Sequence, residues 1–312
     1  MIDVLLATYN GARYLPALLA SLEAQTYREW RLIARDDGSS DDTLSILECF
    51  AQTHPDQVTI LRDGDRGLGA RGNFARLLEY STAAYVMFCD QDDVWKPNKT
   101  ELTLQRIQEL ERQYGSTTPL LVHTDLEVVG EGLEPLAPSF WRYQNLNPDL
   151  AQWNRLLVQN VVTGCTAMIN QTLRELAVPI PPEAIMHDWW LALVTALFGR
   201  IEVVYEPTVR YRQHGTNDTG AKAWSLLYVT RKALSFWQRR ALAENLQRTQ
   251  RTQHQAKVLL ARYQDLDPAV GQTLESYAAL DSMGFFERRL FLLRNRILKQ
   301  GWVRNLGLLL RV

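Results

Sequence analysis

The chain contains few cysteines, and their number and positions exclude two common structural roles. Cys49, Cys89 and Cys165 are the only three in 312 residues, and they are widely separated. An odd, scattered set of cysteines forms neither a disulfide framework nor a zinc-binding pattern. Because disulfide bonds are typical of oxidising compartments, we predict a reducing, cytoplasmic location.

We also expect no targeting segment, and the sequence lacks the usual nucleotide-binding glycine motifs. No run of about 18 apolar residues occurs, so we expect no transmembrane helix, and the first residues lack the basic and apolar regions of a signal peptide. No G-x-G-x-x-G segment follows the first predicted strand, and no Walker lysine is present. These absences argue against a dinucleotide-binding Rossmann unit and against a P-loop.

The composition that remains is that of an ordinary globular protein with an uneven charge. Hydrophobic residues make up 46% of the chain and charged residues 22%, which suits one or two folded domains. The net charge is -1, but residues 222–312 contain sixteen Lys and Arg against six Asp and Glu. This basic tail could bind an acidic polymer or an anionic membrane. Alternatively, its charge belongs to a solvated helix surface without a partner.

Strands and helices are predicted to alternate through the first part of the chain. Apolar runs predict strands over Ile2–Thr8, 30–34, 57–61 and 84–89. Helical spacing predicts helices over 14–22 and 73–81 and after Pro97, with a glycine-rich loop over 67–72. Ser39 is placed to cap a further helix with Asp42 as its partner. Strands that are apolar on both faces and alternate with helices are typical of a covered parallel sheet, so we predict an α/β fold.

Polar residues follow three of the predicted strands. Thr8-Tyr9-Asn10 follow the first, Asp36-Asp37-Gly38 the second and Asp90-Gln91-Asp92-Asp93 the fourth. Because ligands bind at the carboxyl ends of parallel strands, we expect one site to collect all three clusters. Three carboxylates within four positions repel one another unless a cation lies among them. Carboxylate oxygens are hard ligands that suit Mg²⁺ or Mn²⁺, and such ions are usually bound by protein carboxylates together with the phosphates of a substrate. The sequence therefore predicts a site for a metal ion and a diphosphate.

Six motifs together carry a resemblance to a known family. They are Ala7-Thr8-Tyr9-Asn10, Asp36-Asp37-Gly38-Ser39-Ser40-Asp41, Asp90-Gln91-Asp92-Asp93, Thr163-Gly164-Cys165, His187-Asp188-Trp189-Trp190 and Arg212-Gln213-His214-Gly215-Thr216-Asn217. Over residues 1–220 the chain resembles the family 2 inverting glycosyltransferases of GT-A fold, and within them bacterial rhamnosyltransferases of surface polysaccharide synthesis. The resemblance implies a Rossmann-like, mostly parallel central sheet with helices on both faces. A helical C-terminal region is expected over residues 221–312.

The resemblance implies a donor site and a metal site. Asp92 and Asp93 would hold Mn²⁺ or Mg²⁺. His214 would complete the metal shell or bind the diphosphate, and the alternative is a structural histidine. Because an imidazole suits manganese better than magnesium, His214 favours Mn²⁺. Taken alone, Asp37 before a glycine is more typical of a turn, and only its pairing with the later acidic cluster favours the donor site. The residues implied to bind a nucleotide-sugar donor are Thr8, Tyr9, Asn10, Asp37, Arg71, Asn73, Asp90 and Arg212.

The resemblance also implies a general base and an acceptor site. Asp188 would take the proton of an acceptor hydroxyl while that oxygen attacks the anomeric carbon and inverts it. Alternatively, Asp188 has no catalytic role and its carboxylate is stabilised by the positive end of the helix dipole at a helix N-terminus. Gly164, Cys165, Trp189 and Trp190 are implied to contact the acceptor. At least one tryptophan could instead belong to the core, and Cys165 is expected to be a small buried residue rather than a nucleophile.

We therefore predict metal-dependent sugar transfer, with L-rhamnose from dTDP-rhamnose as the first choice, to a polysaccharide or lipid-linked glycan. A UDP-hexose or UDP-N-acetylhexosamine donor is the alternative, and a nucleotidyltransferase or a noncatalytic nucleotide-sugar binding module are rival hypotheses. No nucleic acid partner is expected. The basic, aromatic stretch from Phe285 onward predicts peripheral contact with the inner face of the cell membrane, or packing on the catalytic domain or on another subunit.

Overall fold

Nine strands form one sheet in the computed structural model, which describes residues 1–215, 239–310 and 312. The strands are β1 Ile2–Thr8, β2 Trp30–Asp36, β3 Val58–Ile60, β4 Tyr85–Asp90, β5 Val94–Trp95, β6 Leu120–Val129, β7 Pro135–Ala137, β8 Met168–Asn170 and β9 Arg200–Arg212. Across the sheet they follow the order β3, β2, β1, β4, β8, β6, β9 and β5, with β7 paired to β6. Six strands run in one direction, while β5, β7 and β8 run in the other. The predicted α/β fold with a mostly parallel sheet is confirmed.

The four parallel strands β3, β2, β1 and β4 bring the predicted polar clusters to one edge. Thr8 lies opposite Asp36 in the register of β1 and β2, and Ala7 lies opposite Asp90 in that of β1 and β4. Both β1 and β4 are largely buried on both faces, which accounts for their continuous apolar runs. Because these strands point the same way, their carboxyl ends form one shared wall.

The antiparallel part of the sheet was not predicted. The short strand β8 lies between β4 and β6 and is antiparallel to both. The last strand, β9, extends to Arg212 because it pairs in parallel with β6 along that length. Arg212 therefore lies within the sheet, at the end of its strand, rather than in the loop that follows.

Twelve α-helices occur within the residues that the structure describes. They are α1 Leu15–Glu23, α2 Thr43–Thr53, α3 Gly69–Tyr80, α4 Lys99–Tyr114, α5 Phe140–Gln144, α6 Trp153–Leu156, α7 Gln171–Ala177, α8 His187–Phe198, α9 Arg239–Arg262, α10 Pro268–Ala278, α11 Phe285–Arg294 and α12 Trp302–Leu309. Two local predictions were wrong. The helix expected from residue 73 begins at Gly69, so the glycine-rich loop is shorter than predicted. Ser39 does not cap α2, because its hydroxyl donates to Asp36 Oδ1 over 2.5 Å and accepts from the Asn10 N–H over 2.8 Å.

The tail helices α9 to α12 pack on the rest of the chain through one face. Leu259, Leu292 and Leu308 are buried in the same apolar cluster as Trp190 of α8. That face therefore packs on residues 1–215, as one of the alternatives for the tail predicts. None of the helices in the described ranges is long and apolar enough to cross a bilayer. The predicted domain boundary at 220 and 221, and Thr216 and Asn217 of the last motif, lie outside the described residues.

Candidate active site

The ends of β1, β2 and β4 are tied together at the first wall of the site. Thr8 Oγ1 donates to Asp36 Oδ1 over 3.0 Å. The Tyr9 backbone N–H donates to Gln91 Oε1 over 2.9 Å, and the Tyr9 carbonyl accepts from Gln91 Nε2 over 2.8 Å. The Tyr9 side chain itself is 57% exposed. An aromatic ring that is presented to solvent above fixed strand ends can pack on a planar base.

Asn10 links the loop after β1 to the loop after β2. Its N–H donates to Ser39 Oγ, and its Oδ1 accepts from the Ser40 N–H, each over 2.8 Å. The backbone of Asn10 has a φ of 48°, in the left-handed region that Asn tolerates better than most residues. These contacts give Asn10 a part in shaping the edge of the site.

A buried arginine that the sequence analysis missed, Arg35, organises the end of β2. Its guanidinium donates to both carboxylate oxygens of Asp63, each over 2.9 Å, and to Asp37 Oδ1 over 3.1 Å. Asp37 also accepts from the N–H groups of Leu68 and Gly69, over 3.0 and 2.8 Å. Asp37 is therefore fixed by a cation and by the N-terminus of α3. The overlooked signal was a charged residue inside an apolar strand.

Two predicted donor contacts on α3 lie in different surroundings. Asn73 is buried; its Oδ1 accepts from Arg35 over 3.3 Å, and its Nδ2 donates to the carbonyls of Thr8 and Arg35 over 3.4 and 3.2 Å. Because both polar atoms of its amide bind the strand ends, we correct its role from donor contact to support of β1 and β2. Arg71 is partly exposed and donates to the Pro181 carbonyl over 3.3 Å, on the segment that leads to α8.

Asp90, Asp93 and Cys165 form the centre of the site. One ligand atom from each lies within 4.8 Å of the other two. Asp93 Oδ1 accepts from the Arg212 N–H over 3.1 Å, and the buried Asp93 Oδ2 has no hydrogen-bond partner in the described part of the chain. Burial raises the pKa of Asp93 well above its usual range, and the charges of Asp92 and Asp90 add to this. Burial likewise raises the pKa of the Cys165 thiol, so the thiol is neutral and is no nucleophile.

Asp92 and His214 come together although they are 122 residues apart. His214 Nε2 lies 2.7 Å from Asp92 Oδ2. The His214 ring stacks on Tyr14, with centroids 4.7 Å apart, and the Arg212 guanidinium lies 4.9 Å from the centroid of the same Tyr14 ring. Arg212 Nε also donates to the Asp92 carbonyl over 2.8 Å. The end of β9 is thereby fastened to the acidic turn after β4, with Tyr14 as an unpredicted support.

The donor atoms gathered here suit a hard divalent cation. Asp90, Asp92 and Asp93 offer carboxylate oxygens, which suit Mg²⁺ and Mn²⁺. His214 offers an imidazole nitrogen, which suits Mn²⁺ better than Mg²⁺. A buried carboxylate oxygen without a donor, such as Asp93 Oδ2, is costly unless the group is neutral or faces a cation. The predicted metal residues are thus adjacent, but the tightest group in the described residues contains Asp90 and Asp93 rather than Asp92 and His214.

Asp188 lies in the first turn of α8. Its Oδ1 accepts from the Trp189 N–H over 2.6 Å, and its Oδ2 accepts from the Gly164 N–H over 3.0 Å. Burial raises the pKa of Asp188 to about 7, against the lowering effect of these two hydrogen bonds. A carboxylate with a pKa near 7 can accept a proton at neutral pH and later release it. Gly164, which binds Asp188, directly precedes Cys165, which lies in the acidic centre. Asp188 is therefore connected to that centre through these two residues.

Gly164 is needed where its loop meets α8, a feature that the sequence analysis missed. A Cβ at this position would lie 2.8 Å from His187 Nε2 and 3.5 Å from Asp188 Cβ. The His187 ring is buried against Phe74 and Phe88, with centroids 4.1 and 5.1 Å away. Neither ring nitrogen has a hydrogen-bond partner within residues 1–215, 239–310 and 312. Burial lowers the pKa of His187 to about 3, so the imidazole is neutral.

Trp189 and Trp190 are core residues, which corrects the prediction that they contact the acceptor. Trp189 Nε1 donates to the Leu156 carbonyl over 2.5 Å, and Trp190 Nε1 donates to the Ala177 carbonyl over 3.1 Å. Both indoles are buried. Helix α8 has an almost uniformly apolar sequence after its first turn, and a helix that is apolar all round is buried. Cys165 is also buried, which limits it to shaping the loop.

The mostly parallel sheet, with polar residues at its strand ends, gives the chain a fold of the GT-A type. The chain belongs to Glycosyl transferase family 2, whose model matches residues 3–174. The family predicted from the motifs is therefore confirmed, although Asp188 and His214 lie beyond the matched range.

Several relatives have names that bear on function. The dTDP-rhamnosyl transferase RfbG of Shigella flexneri is 28% identical over 234 residues, which cover 69% of this chain and 74% of that protein. The UDP-Glc:alpha-D-GlcNAc-diphosphoundecaprenol beta-1,3-glucosyltransferase WfgD of Escherichia coli is 26% identical over 177 residues, or 55% and 61% of the two chains. An uncharacterized glycosyltransferase of Nostoc sp. is 28% identical over 224 residues, or 70% and 66%. The chain thus spans less than two thirds of two of these relatives.

Solved structures share the fold at low sequence identity. TarS of S. aureus (residues 1–349), in complex with UDP-GlcNAc, has a TM-score of 0.56 and 15% identity over 89% of this chain and 71% of that one. The mannosyltransferase PcManGT of Pyrobaculum calidifontis, in complex with GDP-Man and Mn²⁺, has a TM-score of 0.55 and 16% identity over 95% and 72%. At these identities the likeness establishes the architecture.

Proposed function

We propose that the chain transfers a sugar, with inversion, from a nucleoside diphosphate donor to a hydroxyl of a glycan acceptor. One observation carries the proposal. The Gly164 N–H binds the Asp188 carboxylate, while the next residue, Cys165, lies in the group formed with Asp90 and Asp93. A group able to take a proton near pH 7 is therefore linked, through residues 164 and 165, to carboxylates suited to a diphosphate and its cation.

Each residue then has a defined part in the reaction. Asp188 takes the proton of the acceptor hydroxyl as that oxygen forms its bond to the anomeric carbon. The bond from this carbon to the diphosphate breaks, and its electron pair leaves with the nucleoside diphosphate. Asp90, Asp92 and Asp93, with His214 beside them, would hold Mn²⁺ or Mg²⁺, which when bound neutralises charge on the diphosphate. Tyr9 and Asp37 would hold the nucleobase, while Arg71 and Arg212 would face the phosphates.

The donor we propose is dTDP-L-rhamnose. The sequence motifs favour it, and a relative of this chain is named a dTDP-rhamnosyl transferase. A UDP-hexose or UDP-N-acetylhexosamine is the second candidate, because another relative is named for UDP-Glc and TarS was solved with UDP-GlcNAc. Donor choice depends on a few pocket contacts, and the two candidates are distinguished by direct binding.

We place the reaction in the cytoplasm, at the inner face of the cell membrane, on a growing polysaccharide or a lipid-linked glycan. The name of one relative includes an acceptor on diphosphoundecaprenol, which supports an acceptor of this kind. The isolated, widely spaced cysteines support a reducing compartment.

The deciding experiment separates donor binding from transfer. We expect dTDP-rhamnose with Mn²⁺ or Mg²⁺ to raise the melting temperature of the protein more than UDP-glucose or UDP-N-acetylglucosamine does. Asp188→Asn should keep this shift and lose transfer by about 10²- to 10⁴-fold, since an amide cannot accept the proton. Asp92→Asn should weaken Mn²⁺ binding, measured by electron paramagnetic resonance without any donor.

The matched control is Asp56→Asn, an exposed carboxylate remote in sequence from all three clusters, which should leave both binding and transfer unchanged. If Asp188→Asn transferred sugar as fast as the wild type, the base assignment would be wrong. If no nucleotide sugar changed the melting temperature, the proposed function itself would fail.

A further inference from the structure

Exposed apolar side chains are concentrated in the last helices. Thirteen large apolar side chains are exposed within the described residues, and seven of them lie between residues 285 and 310. Phe286 is 82% exposed and Trp302 is 77% exposed. A dense group of exposed aromatic and aliphatic side chains marks an interaction surface, whereas scattered ones are ordinary. The seven are Phe285, Phe286, Leu290, Leu293, Trp302, Leu306 and Leu310.

Six of these side chains follow helical spacing. Residues three or four positions apart lie on the same face of a helix. Phe286, Leu290 and Leu293 have this spacing on α11, as do Trp302, Leu306 and Leu310 on α12 and at its end. We call these six residues the apolar stripe. Each of the two helices therefore presents a continuous apolar line to solvent.

The opposite face of the same helices is fixed to the rest of the molecule. Leu292 and Leu308 are buried. The Gln300 side chain accepts from the Asn147 N–H over 2.5 Å and donates to the Asn147 carbonyl over 2.9 Å. Asn154 Nδ2 donates to the Asn295 carbonyl over 2.9 Å. The apolar stripe thus belongs to a docked segment that already has its core contacts, so its exposure is not that of a detached tail.

The charge around the apolar stripe selects its partner. Residues 285–312 contain seven Lys and Arg against one acidic residue, Glu287. Arg294 and Arg296 are exposed, and the Arg289 guanidinium lies 3.4 Å from the centroid of the Phe285 ring. Apolar lines with aromatic residues and flanking cations are typical of helices that lie in the headgroup region of an anionic bilayer. A second copy of the chain would bring the same cations together, which opposes pairing.

We propose that the apolar stripe docks the protein on an anionic lipid surface. Both helices are short and lie along the surface of the protein, with their inner faces already buried, so the contact is peripheral. Phe286 and Trp302 would enter the boundary between headgroups and acyl chains, and Arg294 and Arg296 would pair with lipid phosphates. The proposal stands on contacts of the tail alone, and vesicle binding reports on it whether or not the chain transfers a sugar.

The test uses the full chain and vesicle flotation. We expect the protein to float with vesicles of phosphatidylcholine and phosphatidylglycerol, to float much less with phosphatidylcholine alone, and to be released by salt. The triple variant Phe286→Gln, Trp302→Gln, Leu306→Gln should reduce binding about tenfold or more. Arg294→Gln should reduce binding to the anionic vesicles about fivefold.

Leu136→Gln, which alters an exposed leucine on β7, is the matched control and should bind vesicles like the wild type. Circular dichroism and donor-induced thermal shift check that the triple variant stays folded, which is expected since its three side chains are exposed. Absence of flotation with anionic vesicles would overturn the proposal. So would a wild-type dimer in analytical ultracentrifugation that the triple variant converts to a monomer, because a second copy would then cover the apolar stripe.

Discussion

The candidate site has two halves, and different forces hold them in place. The strand-end half, at the ends of β1, β2 and β4, depends on charge, since Arg35 joins Asp37 to Asp63. The base half, made of residues 163–165 and the start of α8, depends on backbone N–H groups around Asp188 and on close packing beside His187. A network of ion pairs is destabilised when one charged partner is removed, whereas a closely packed loop is destabilised when the volume of a side chain changes. Charge-removing and volume-changing substitutions should therefore separate the two halves.

Arg35→Met should have the largest effect, because it breaks the strand-end half. The substitution keeps much of the side-chain volume but leaves Asp37 and Asp63 without their cation. Breaking a buried ion pair in this way costs about 3–5 kcal/mol of unfolding free energy. Urea denaturation would measure the loss. Arg62→Met is the control, since its pair with Glu48 is exposed and contributes at most about 1 kcal/mol; equal losses in the two variants would contradict the assigned role of Arg35.

The next largest effect is expected in the pH dependence of sugar transfer, which tests the base half. The pKa of Asp188 is raised to about 7, so the carboxylate becomes protonated as the pH falls below that value and can no longer accept a proton. We expect kcat/KM to fall about 50-fold from pH 7 to pH 5, because the deprotonated fraction of Asp188 falls from about one half to about one hundredth. Donor binding measured over the same pH range separates this effect from loss of affinity. A flat profile would remove Asp188 from the base role.

The strand-end half was largely predictable from sequence. Polar residues directly after apolar strands mark ligand sites in parallel sheets, and Thr8, Asp37 and Asp90 indeed lie at one edge. Arg35 escaped prediction because a charge within a strand carries no local indication of its partners. Its contact with Asp63 depends on how the segment after β3 folds back. Asn73 was misassigned for the same reason, since its hydrogen bonds to two strand ends are tertiary contacts.

The base half was predictable in its residue types but not in its geometry. Asp188 was predicted, but its hydrogen bond to Gly164 joins residues 24 positions apart without any local pattern. The antiparallel strand β8, which follows this loop, was missed because it has only three residues. The burial of Trp189 and Trp190 was predictable in principle, because a helix that is apolar all round is buried. They were instead assigned to the acceptor because the flat faces of their rings suit a sugar.

Gly164→Ala should disturb the base half by volume alone. The new Cβ would lie 2.8 Å from His187 Nε2, so the ring or the loop must shift, at a cost of about 2 kcal/mol in unfolding free energy. The cost should shrink in a His187→Ala background, where the ring is gone, as a double-mutant cycle would show. Gly271→Ala in α10 is the control, because its Cβ meets nothing within 4 Å and should stabilise the helix by up to about 1 kcal/mol. Full additivity of Gly164→Ala and His187→Ala would argue against the contact.

The smallest expected effect tests whether the packing of the base half keeps His187 neutral. Burial lowers the pKa of His187 from 6.5 to about 3. Below pH 6.5, His187 therefore binds a proton in the unfolded chain but stays neutral in the folded protein. Stability is therefore lost as the pH falls. His187→Phe, which retains an aromatic ring against Phe74 and Phe88, removes this loss and should save about 1.4 kcal/mol between pH 7.5 and pH 5.5. Urea denaturation at the two pH values gives the difference. Equal acid sensitivity of variant and wild type would mean that the folded ring takes up the proton, and the base half would then depend on charge as the strand-end half does.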